Sequence, residues 1–261
     1  GAGFGGGVGG ARSVREVKGK KAAAVKALGQ APDFGVELRL IDDFYRAGDE
    51  QTLDRVITGK TIPPLGIPAK CGSLVTNVGT LLAAHDAKQG KPVTSKIVTV
   101  TGEVASPSVI SVPVGTSIAD CIDACGGSRI ADPVCVLGGP IMGRVVESYA
   151  GEVVTKTLGG IILLPKGHPL HANARQKISR MRKAASAACI QCRFCTDMCP
   201  RYLNGQPFET HKIMRAFAAG AENEAPAALQ AFLCCECRVC ELMACPMGLS
   251  PRRINNALKN S

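Results

Sequence analysis

The sequence predicts an α+β chain of several domains, and three observations support that prediction. Residues 36–87 alternate strand and helix patterns, residues 96–165 contain paired alternating strands, and residues 189–245 carry nine of the 13 cysteines between helical segments. With 261 residues, 46% of them hydrophobic and 20% charged, the chain can bury a sizeable core. It is therefore expected to form two or three small globular domains.

The first region is predicted to be an α/β layer. Its sequence is VELRLIDDFYRAGDEQTLDRVITGKTIPPLGIPAKCGSLVTNVGTLLAAHDA, in which strand-like and helix-like segments follow one another. A helix is expected to begin near Val78, after the turn TNVGT. The glycine-rich start GAGFGGGVGG is either part of this layer or a flexible tail.

The middle region is predicted to be rich in strands. KIVTVTGEVASPSVISVP contains two alternating strands around a Gly/Pro/Ser turn, and a short amphipathic helix follows from Ser117 to Cys125, ended by Gly126 and Gly127. A strand, a glycine turn and a second strand are then predicted in VCVLGGPIMGRVV. A further strand is predicted in LGGIILLP.

Composition argues against two broad classes of protein. The formal charge is +10, but Trp is absent, aromatic residues make up 4%, and no basic stretch is interleaved with stacking residues, so no nucleic-acid partner is expected. No window approaches the roughly 18 to 20 apolar residues of a spanning helix, so no direct membrane span is expected. The start lacks a secretory signal and an initiator Met, which suggests a processed product or a fragment.

The basic segment ahead of the cysteine-rich region has two interpretations. Residues 166–183 form a solvated linker face, or they steer an acidic redox partner and offset the negative charge of metal-bound thiolates.

Cysteine usage points to a cytosolic metal protein. The cysteines at short spacing are poorly placed to close long loops by disulfides, and nothing indicates an oxidising compartment. The four scattered cysteines are interpreted as small buried hydrophobic residues: Cys71, Cys121, Cys125 and Cys135.

The first cysteine run has the spacing of an iron–sulfur ligand set. Cys189, Cys192, Cys195 and Cys199, followed by Pro200, give CxxCxxCxxxCP, in which three thiolates can surround one cubane. In two-cluster proteins the fourth cysteine of such a run ligates the other cluster.

The second run repeats the first with one extra residue before its last cysteine. Cys234 lies 45 residues after Cys189, and Cys245 lies 46 residues after Cys199. We therefore predict two [4Fe-4S] clusters. Cluster one would use Cys189, Cys192, Cys195 and Cys245. Cluster two would use Cys234, Cys237, Cys240 and Cys199.

Two alternatives remain open around these runs. Cys235 is left over, and a register in which it replaces Cys234 is possible. Zinc is the alternative metal, although it leaves the third cysteine of each triplet and both Cys-Pro endings unexplained.

Two segments between the runs have apolar residues at helical spacing, ETHKIMRAFAAG and APAALQAFL. His211 lies on the first of these predicted helices. It is interpreted as a solvated residue rather than as a ligand or proton carrier.

These patterns resemble known families. The cysteine-rich region is similar to the helical two-cluster ferredoxin domains of multi-subunit reductases, and residues 97–150 resemble the soluble ligand-binding β-grasp domain. GDEQTLDRVITGKTIPPLGIP and TNVGTLLAA resemble the flavin-binding domain shared by the 51 kDa subunit of complex I and the C subunit of the Rnf complex.

The flavin-domain resemblance implies FMN-binding positions. Asn77 and Thr80 match the family's FMN-contacting turn, and a helix starting near Val78 would offer amides to the flavin phosphate. Gly3 and Phe4 match the family's glycine-rich FMN loop, although the Pro-Thr expected after Phe4 and the acidic nucleotide-binding segment are missing. The expected FMN domain is therefore incomplete.

The cluster motifs with the stretched CxxxxCP spacing and PMGLSPR most resemble the cobalamin reductases, the iron–sulfur flavoproteins of propanediol-utilisation microcompartments. The resemblance implies an oxidoreductase that carries electrons from NADH through FMN and two clusters to cob(II)alamin. It also implies cobalamin or an adenosyltransferase as acceptor, a shell protein as a possible partner, and a cytoplasmic location within a microcompartment. The alternative is a non-catalytic electron conduit resembling the Rnf C subunit.

The expected domain bounds are an incomplete FMN-type α/β domain over residues 1–96 and a β-grasp domain over 97–150. A strand and basic linker over 151–175 and the helical ferredoxin domain over 176–261 follow.

Overall fold

A computed structural model describes residues 3–5, 13–19, 21–30, 35–223 and 225–260 of the chain. The chain divides into two compact units. One consists of Gly1–Gly90, Cys189–Cys235 and Val239–Ser261, and the other of Lys91–Ala188 and Glu236–Arg238. The first unit thus joins the flavin-type segment to most of the cysteine-rich segment.

A four-stranded sheet organises the amino-terminal part of the first unit. Its strands are β1 (Gly3–Gly5), β2 (Ser13–Lys18), β3 (Val36–Ile41) and β4 (Thr76–Asn77). The order is β3-β2-β1-β4, with β2 and β3 parallel and the other pairs antiparallel. The glycine-rich start therefore contributes a strand, and the rest of GAGFGGGVGG lies outside the described residues.

Three helices accompany this sheet: α1 (Ala22–Gly29), α2 (Glu50–Thr58) and α3 (Val78–Lys88). Helix α2 begins where the extended backbone of Asp49 lets its carboxylate accept hydrogen bonds from the amides of Gln51 and Thr52. It buries Leu53. A 3₁₀ turn over Pro68–Cys71 leaves Cys71 half-buried, so the prediction that all four scattered cysteines are buried is wrong for this one.

The second unit contains a five-stranded sheet. Its strands are β5 (Ser95–Gly102), β6 (Ser108–Pro113), β7 (Pro133–Leu137), β8 (Arg144–Val146) and β9 (Gly160–Pro165). The order is β6-β5-β9-β7-β8, in which only β5 and β9 run parallel.

One helix, α4 (Ile118–Asp123), packs into the core of this unit. It is shorter than predicted because Ser117 is its N-cap, with the hydroxyl oxygen accepting from the Asp120 amide at 3.0 Å. The core includes Val98, Val100, Ile161 and Leu163 and, as predicted, three of the scattered cysteines, Cys121, Cys125 and Cys135.

The basic segment is folded into two helices rather than an extended linker, α5 (Pro169–Ala174) and α6 (Ile178–Ala188). Most of its charged side chains reach solvent, as a solvated face requires. Lys166 forms an ion pair with Asp132, and Arg175 forms one with Glu147.

The cysteine-rich segment consists of helices and loops, with no strand among its described residues. Its α-helices are α7 (Phe194–Asp197), α8 (Pro200–Leu203), α9 (Thr210–Ala219) and α10 (Pro251–Lys259). The segment APAALQAFL forms a 3₁₀ helix over Pro226–Leu233 rather than an α-helix, and Cys240–Ala244 forms a π-helical turn. None of the helices in the described ranges has the length and apolar character needed to cross a membrane.

Candidate metal centres and cofactor site

The four cysteines predicted for cluster one line a single cavity. Cys189, Cys192 and Cys195 come from the first run and Cys245 from the end of the second. The remaining wall is largely apolar and includes Ile190, Met214, Met247 and Leu249. The cavity thus joins the two cysteine runs across about fifty residues of sequence, in the arrangement expected when each run supplies the fourth ligand of the other.

The environment of this cavity favours the neutral thiol form of its cysteines when no metal is bound. Burial, together with the nearby sulfurs of Cys189, Cys192 and Cys245, raises the pKa of Cys195 to about 12. Thiolates are the form that binds metal, so the irons of a cluster would supply the charge that stabilises them. The donor set therefore fits a cluster.

The zinc alternative has a different geometric requirement. Four thiolates must converge on one ion at about 2.3 Å. The four cysteines predicted for cluster one line the wall of a cavity instead. Within the described parts of the chain, no three His, Cys, Asp or Glu side chains are arranged to hold a single metal ion.

The backbone of the two cysteine loops repeats residue for residue. Gln191 and Arg193, on either side of Cys192, have φ of 54° and 68°, and Glu236 and Arg238 have φ of 56° and 60°. Left-handed non-glycine residues cost about 1 kcal/mol or more each, so the surrounding structure must impose them. Alternation of this kind turns successive amides toward one side, which forms anion-binding concavities found at many iron–sulfur sites.

This repeat favours one register for the second run. Because Glu236 corresponds to Gln191, Cys234 corresponds to Cys189 and Cys235 to Ile190. Cys235 is therefore interpreted as the residue between two ligand positions.

Cys199 is deeply buried, with 7% of its surface exposed. Burial raises its pKa to about 12, whereas the backbone amides of Tyr202 and Arg201 donate to its sulfur and act in the opposite direction. Amide donors to a ligand sulfur stabilise the thiolate and tune the cluster that it binds.

Two further cysteines of the predicted second set lie near Cys199. Burial raises the pKa of Cys240 well above its ordinary value, and the charges of Glu241, Cys234 and Cys199 raise it further. The structure therefore brings together Cys199, Cys234 and Cys240, and it also places Cys235 near Cys199. The fourth predicted ligand, Cys237, is buried within the segment Glu236–Arg238.

The residue after the third cysteine of each run caps a helix, a feature that the sequence analysis missed. Thr196 Oγ1 accepts from the backbone amide of His211 at 3.0 Å, at the start of α9. Glu241 Oε1 accepts from the amide of Arg253 at 2.8 Å, at the start of α10. Thr196 and Glu241 are 45 residues apart and so occupy equivalent positions in the internal repeat. The repeat could therefore have indicated that the two residues play the same role.

His211 is half-buried and lines the cluster-one cavity, so its interpretation as a solvated helix residue is wrong. Its Nδ1 lies 2.9 Å from the hydroxyl oxygen of the fully buried Thr196. Burial lowers the pKa of His211, and the charge of Arg193 lowers it further. The neutral imidazole accepts the hydrogen bond that the threonine hydroxyl can donate.

The predicted FMN positions lie on neighbouring elements. Gly3 of β1 pairs with Asn77 of β4, and Phe4 pairs with Thr76. Helix α3 begins at Val78, as predicted, and the Oδ1 atom of Asn77 accepts from the Gly79 amide at 2.8 Å. The side-chain amide of Asn77 and the exposed first turn with Thr80 remain accessible at a helix start, where a phosphate is favourable. These residues fit the phosphate end of a flavin.

Comparison with family models defines the class of protein. Residues 8–86 match the Nuo51 FMN-binding domain, residues 97–145 the SLBB domain, and residues 188–250 the 4Fe-4S dicluster domain. The chain therefore carries the flavin-type and cluster domains of an oxidoreductase-type iron–sulfur flavoprotein, with [4Fe-4S] and FMN cofactors. The predicted α+β multidomain class is confirmed.

The most informative relatives are named cobalamin reductases. The chain is 40% identical over 244 residues to the cobalamin reductase PduS of Salmonella typhimurium, covering 93% of this chain and 54% of the relative. It is 39% identical over the same length to PduS of Citrobacter freundii, with the same coverage. The predicted resemblance is confirmed, and the chain spans about half the length of these curated relatives.

More distant similarity extends to an ion-translocating complex and a hydrogenase. The C subunit of the ion-translocating oxidoreductase complex of Erwinia tasmaniensis is 35% identical over 184 residues, covering 70% of this chain and 21% of the relative. A crystal structure of an NAD⁺-reducing [NiFe]-hydrogenase matches with a TM-score of 0.50 and 16% identity, over 95% of this chain and 47% of that one. This structural match shows a shared fold.

Proposed function

We propose that this chain is the cluster-bearing part of a cobalamin reductase, which uses NADH to reduce cob(II)alamin. The observation that supports this most strongly is a cavity lined by four cysteines from both runs, in a chain 40% identical over 244 residues to PduS of Salmonella typhimurium. Cob(II)alamin as acceptor, an adenosyltransferase or shell protein as partner, and a microcompartment location all belong to this proposal.

The residues proposed to hold the cofactors follow from the sites described above. The first cluster is assigned to Cys189, Cys192, Cys195 and Cys245, and the second to Cys199, Cys234, Cys237 and Cys240. Asn77 and Thr80, with the backbone of Gly3 and Phe4, are assigned to FMN. When bound, the flavin and the clusters supply electron carriers between a two-electron donor and a one-electron acceptor.

The protein contributes positioning and a controlled environment rather than acid or base catalysis. Apolar residues such as Met214 and Leu249 limit water at the first cavity. The amides of Arg201 and Tyr202 donate to Cys199. Both effects set the potential of an iron–sulfur cluster.

A second candidate function is electron conduction without NADH oxidation, as part of a larger complex. It is favoured by the 35% identity over 184 residues to the C subunit of the Erwinia tasmaniensis complex. It is also favoured by the missing residues of the expected FMN loop after Phe4.

An ultraviolet–visible spectrum of anaerobically purified protein, with iron, sulfide and flavin quantified on the same sample, tests the proposal. About eight irons and one flavin per chain are expected. NADH should then bleach the cluster absorbance, and cob(II)alamin should restore it. A full iron content without flavin, with clusters that reduce cob(II)alamin only after chemical reduction, would favour the conduit. Zinc in place of iron would contradict both candidates.

A further inference from the structure

A polar network joins the flavin-type segment to residues 200–206, which comprise helix α8 and the loop after it. Arg201 Nη1 donates to Asp49 Oδ1 at 3.0 Å, and Arg46 also donates to the Asp49 carboxylate. The side chains of Asp49 and Arg201 are only 8% and 14% exposed. The two residues are 152 positions apart in the sequence.

The same segment makes further contacts to α2 and to the residues after it. Asn204 Nδ2 donates to Thr52 Oγ1 at 3.0 Å in a buried hydrogen bond. Gln206 Nε2 donates to Gln51 Oε1 at 3.1 Å and to the Ile62 carbonyl at 2.9 Å. The segment is thus held through the polar side chains of Arg201, Asn204 and Gln206.

Arg201 connects this network directly to a cysteine assigned to cluster two. Its side chain is held by Asp49, and its backbone amide donates to the sulfur of Cys199. Displacement of the guanidinium would therefore move the amide that stabilises the thiolate. The ion pair beside the cluster-one cysteines is more exposed: Arg193 pairs with Asp197, and both side chains are about half exposed.

We propose that the Asp49–Arg201 pair is a positioning contact through which the flavin-type segment holds the Cys199 end of the second cluster site. Neither residue touches the cluster, and both act through the Arg201 amide. The inference rests on the assignment of Cys199 as a ligand in the proposed function. It predicts that the stability and potential of cluster two, and not those of cluster one, depend on a residue of the flavin-type segment.

Asp49→Asn is the decisive variant because asparagine caps a helix as well as aspartate does, so α2 retains its N-cap while the ion pair is lost. Reconstituted full-length chains carrying Asp49→Asn, Arg201→Gln, both changes, or Cys199→Ser would be compared with the wild type. The matched control is Asp132→Asn, which removes an exposed ion pair with Lys166 outside the cysteine runs. The measurements are iron per chain, the rate of iron release to a chelator, and redox titration followed by electron paramagnetic resonance.

Cys199→Ser identifies the signal of cluster two. Asp49→Asn and Arg201→Gln should each shift the potential of that signal and accelerate iron release about tenfold, the factor that corresponds to about 1.4 kcal/mol. The double variant should be no worse than either single one, because the two residues act as a pair. Asp132→Asn should leave both signals unchanged.

Two results would overturn the inference in distinguishable ways. If Cys199→Ser keeps both clusters, the ligand assignment and with it the proposed site are wrong. If Cys199→Ser loses one signal while Asp49→Asn and Arg201→Gln keep that signal and its iron-release rate, only the positioning inference is wrong. If Asp49→Asn fails to fold, Arg201→Lys replaces it. The inference is then overturned if the potential of cluster two is unchanged in both Arg201→Lys and Arg201→Gln.

Discussion

Replacing Thr196 with valine should destabilise the cluster-bearing segment without creating a cavity. Thr196 is fully buried, and its hydroxyl oxygen accepts from the His211 amide at 3.0 Å and lies 2.9 Å from His211 Nδ1. Valine has nearly the same shape but no polar atom. Loss of a helix cap costs about 1 kcal/mol, and the lost hydrogen bond to the half-buried His211 imidazole adds about 1 kcal/mol more. We therefore expect about 2 kcal/mol of lost stability.

Chemical denaturation of the cluster-loaded protein, followed by far-ultraviolet circular dichroism and by cluster absorbance, would measure this loss. The control is Thr196→Ser, which keeps the hydroxyl and should recover most of the stability. A valine variant as stable as the wild type, or a serine variant as unstable as the valine variant, would refute the assignment of Thr196 as the cap of α9.

Three further predictions concern other parts of the chain. Cys192→Ala should remove one cluster and leave about four irons per chain, and an unchanged iron content would contradict the ligand assignment. Burial lowers the pKa of His211 from its ordinary 6.5, so the unfolded chain takes up this proton first as pH falls. The stability contributed by neutral His211 should be complete above about pH 7 and decline below 6.5, whereas His211→Gln should show a flatter pH profile in denaturant melts. Gly102 has φ of 88°, and an added Cβ would lie 2.1 Å from the carbonyl oxygen of Leu163. Gly102→Ala should therefore lower the free energy of unfolding of the β-grasp unit by about 2 kcal/mol or more in urea melts. Gly115→Ala, also at positive φ but in open space, should lower it by less.

Local patterns in the sequence predicted much of the fold. The alternation in residues 95–113 predicted β5 and β6, and the apolar run after Leu158 predicted β9. Such predictions succeed because side chains of a half-buried strand alternate between core and solvent, which is a property of neighbouring residues. Helix type was less predictable, since Pro226–Leu233 has helical spacing but forms a 3₁₀ helix.

The cluster motifs were readable for a similar reason. Ligands of one cluster come mainly from a short loop, so their spacing is visible in the sequence, and the repeat after about 45 residues indicated the exchange of the fourth cysteine between runs. The grouping of Cys245 with Cys189, Cys192 and Cys195 around one cavity agrees with that pattern.

The sequence by itself determined the cysteine loops, the strands of the β-grasp unit and the resemblance to cobalamin reductases, because each depends on residues close together in the chain. The tertiary structure alone decided that β1 lies beside β4, that Thr196 holds the start of α9, and that Asp49 pairs with Arg201. A buried polar side chain can satisfy its hydrogen bonds with any suitably placed partner, and the identity of that partner depends on how distant segments pack.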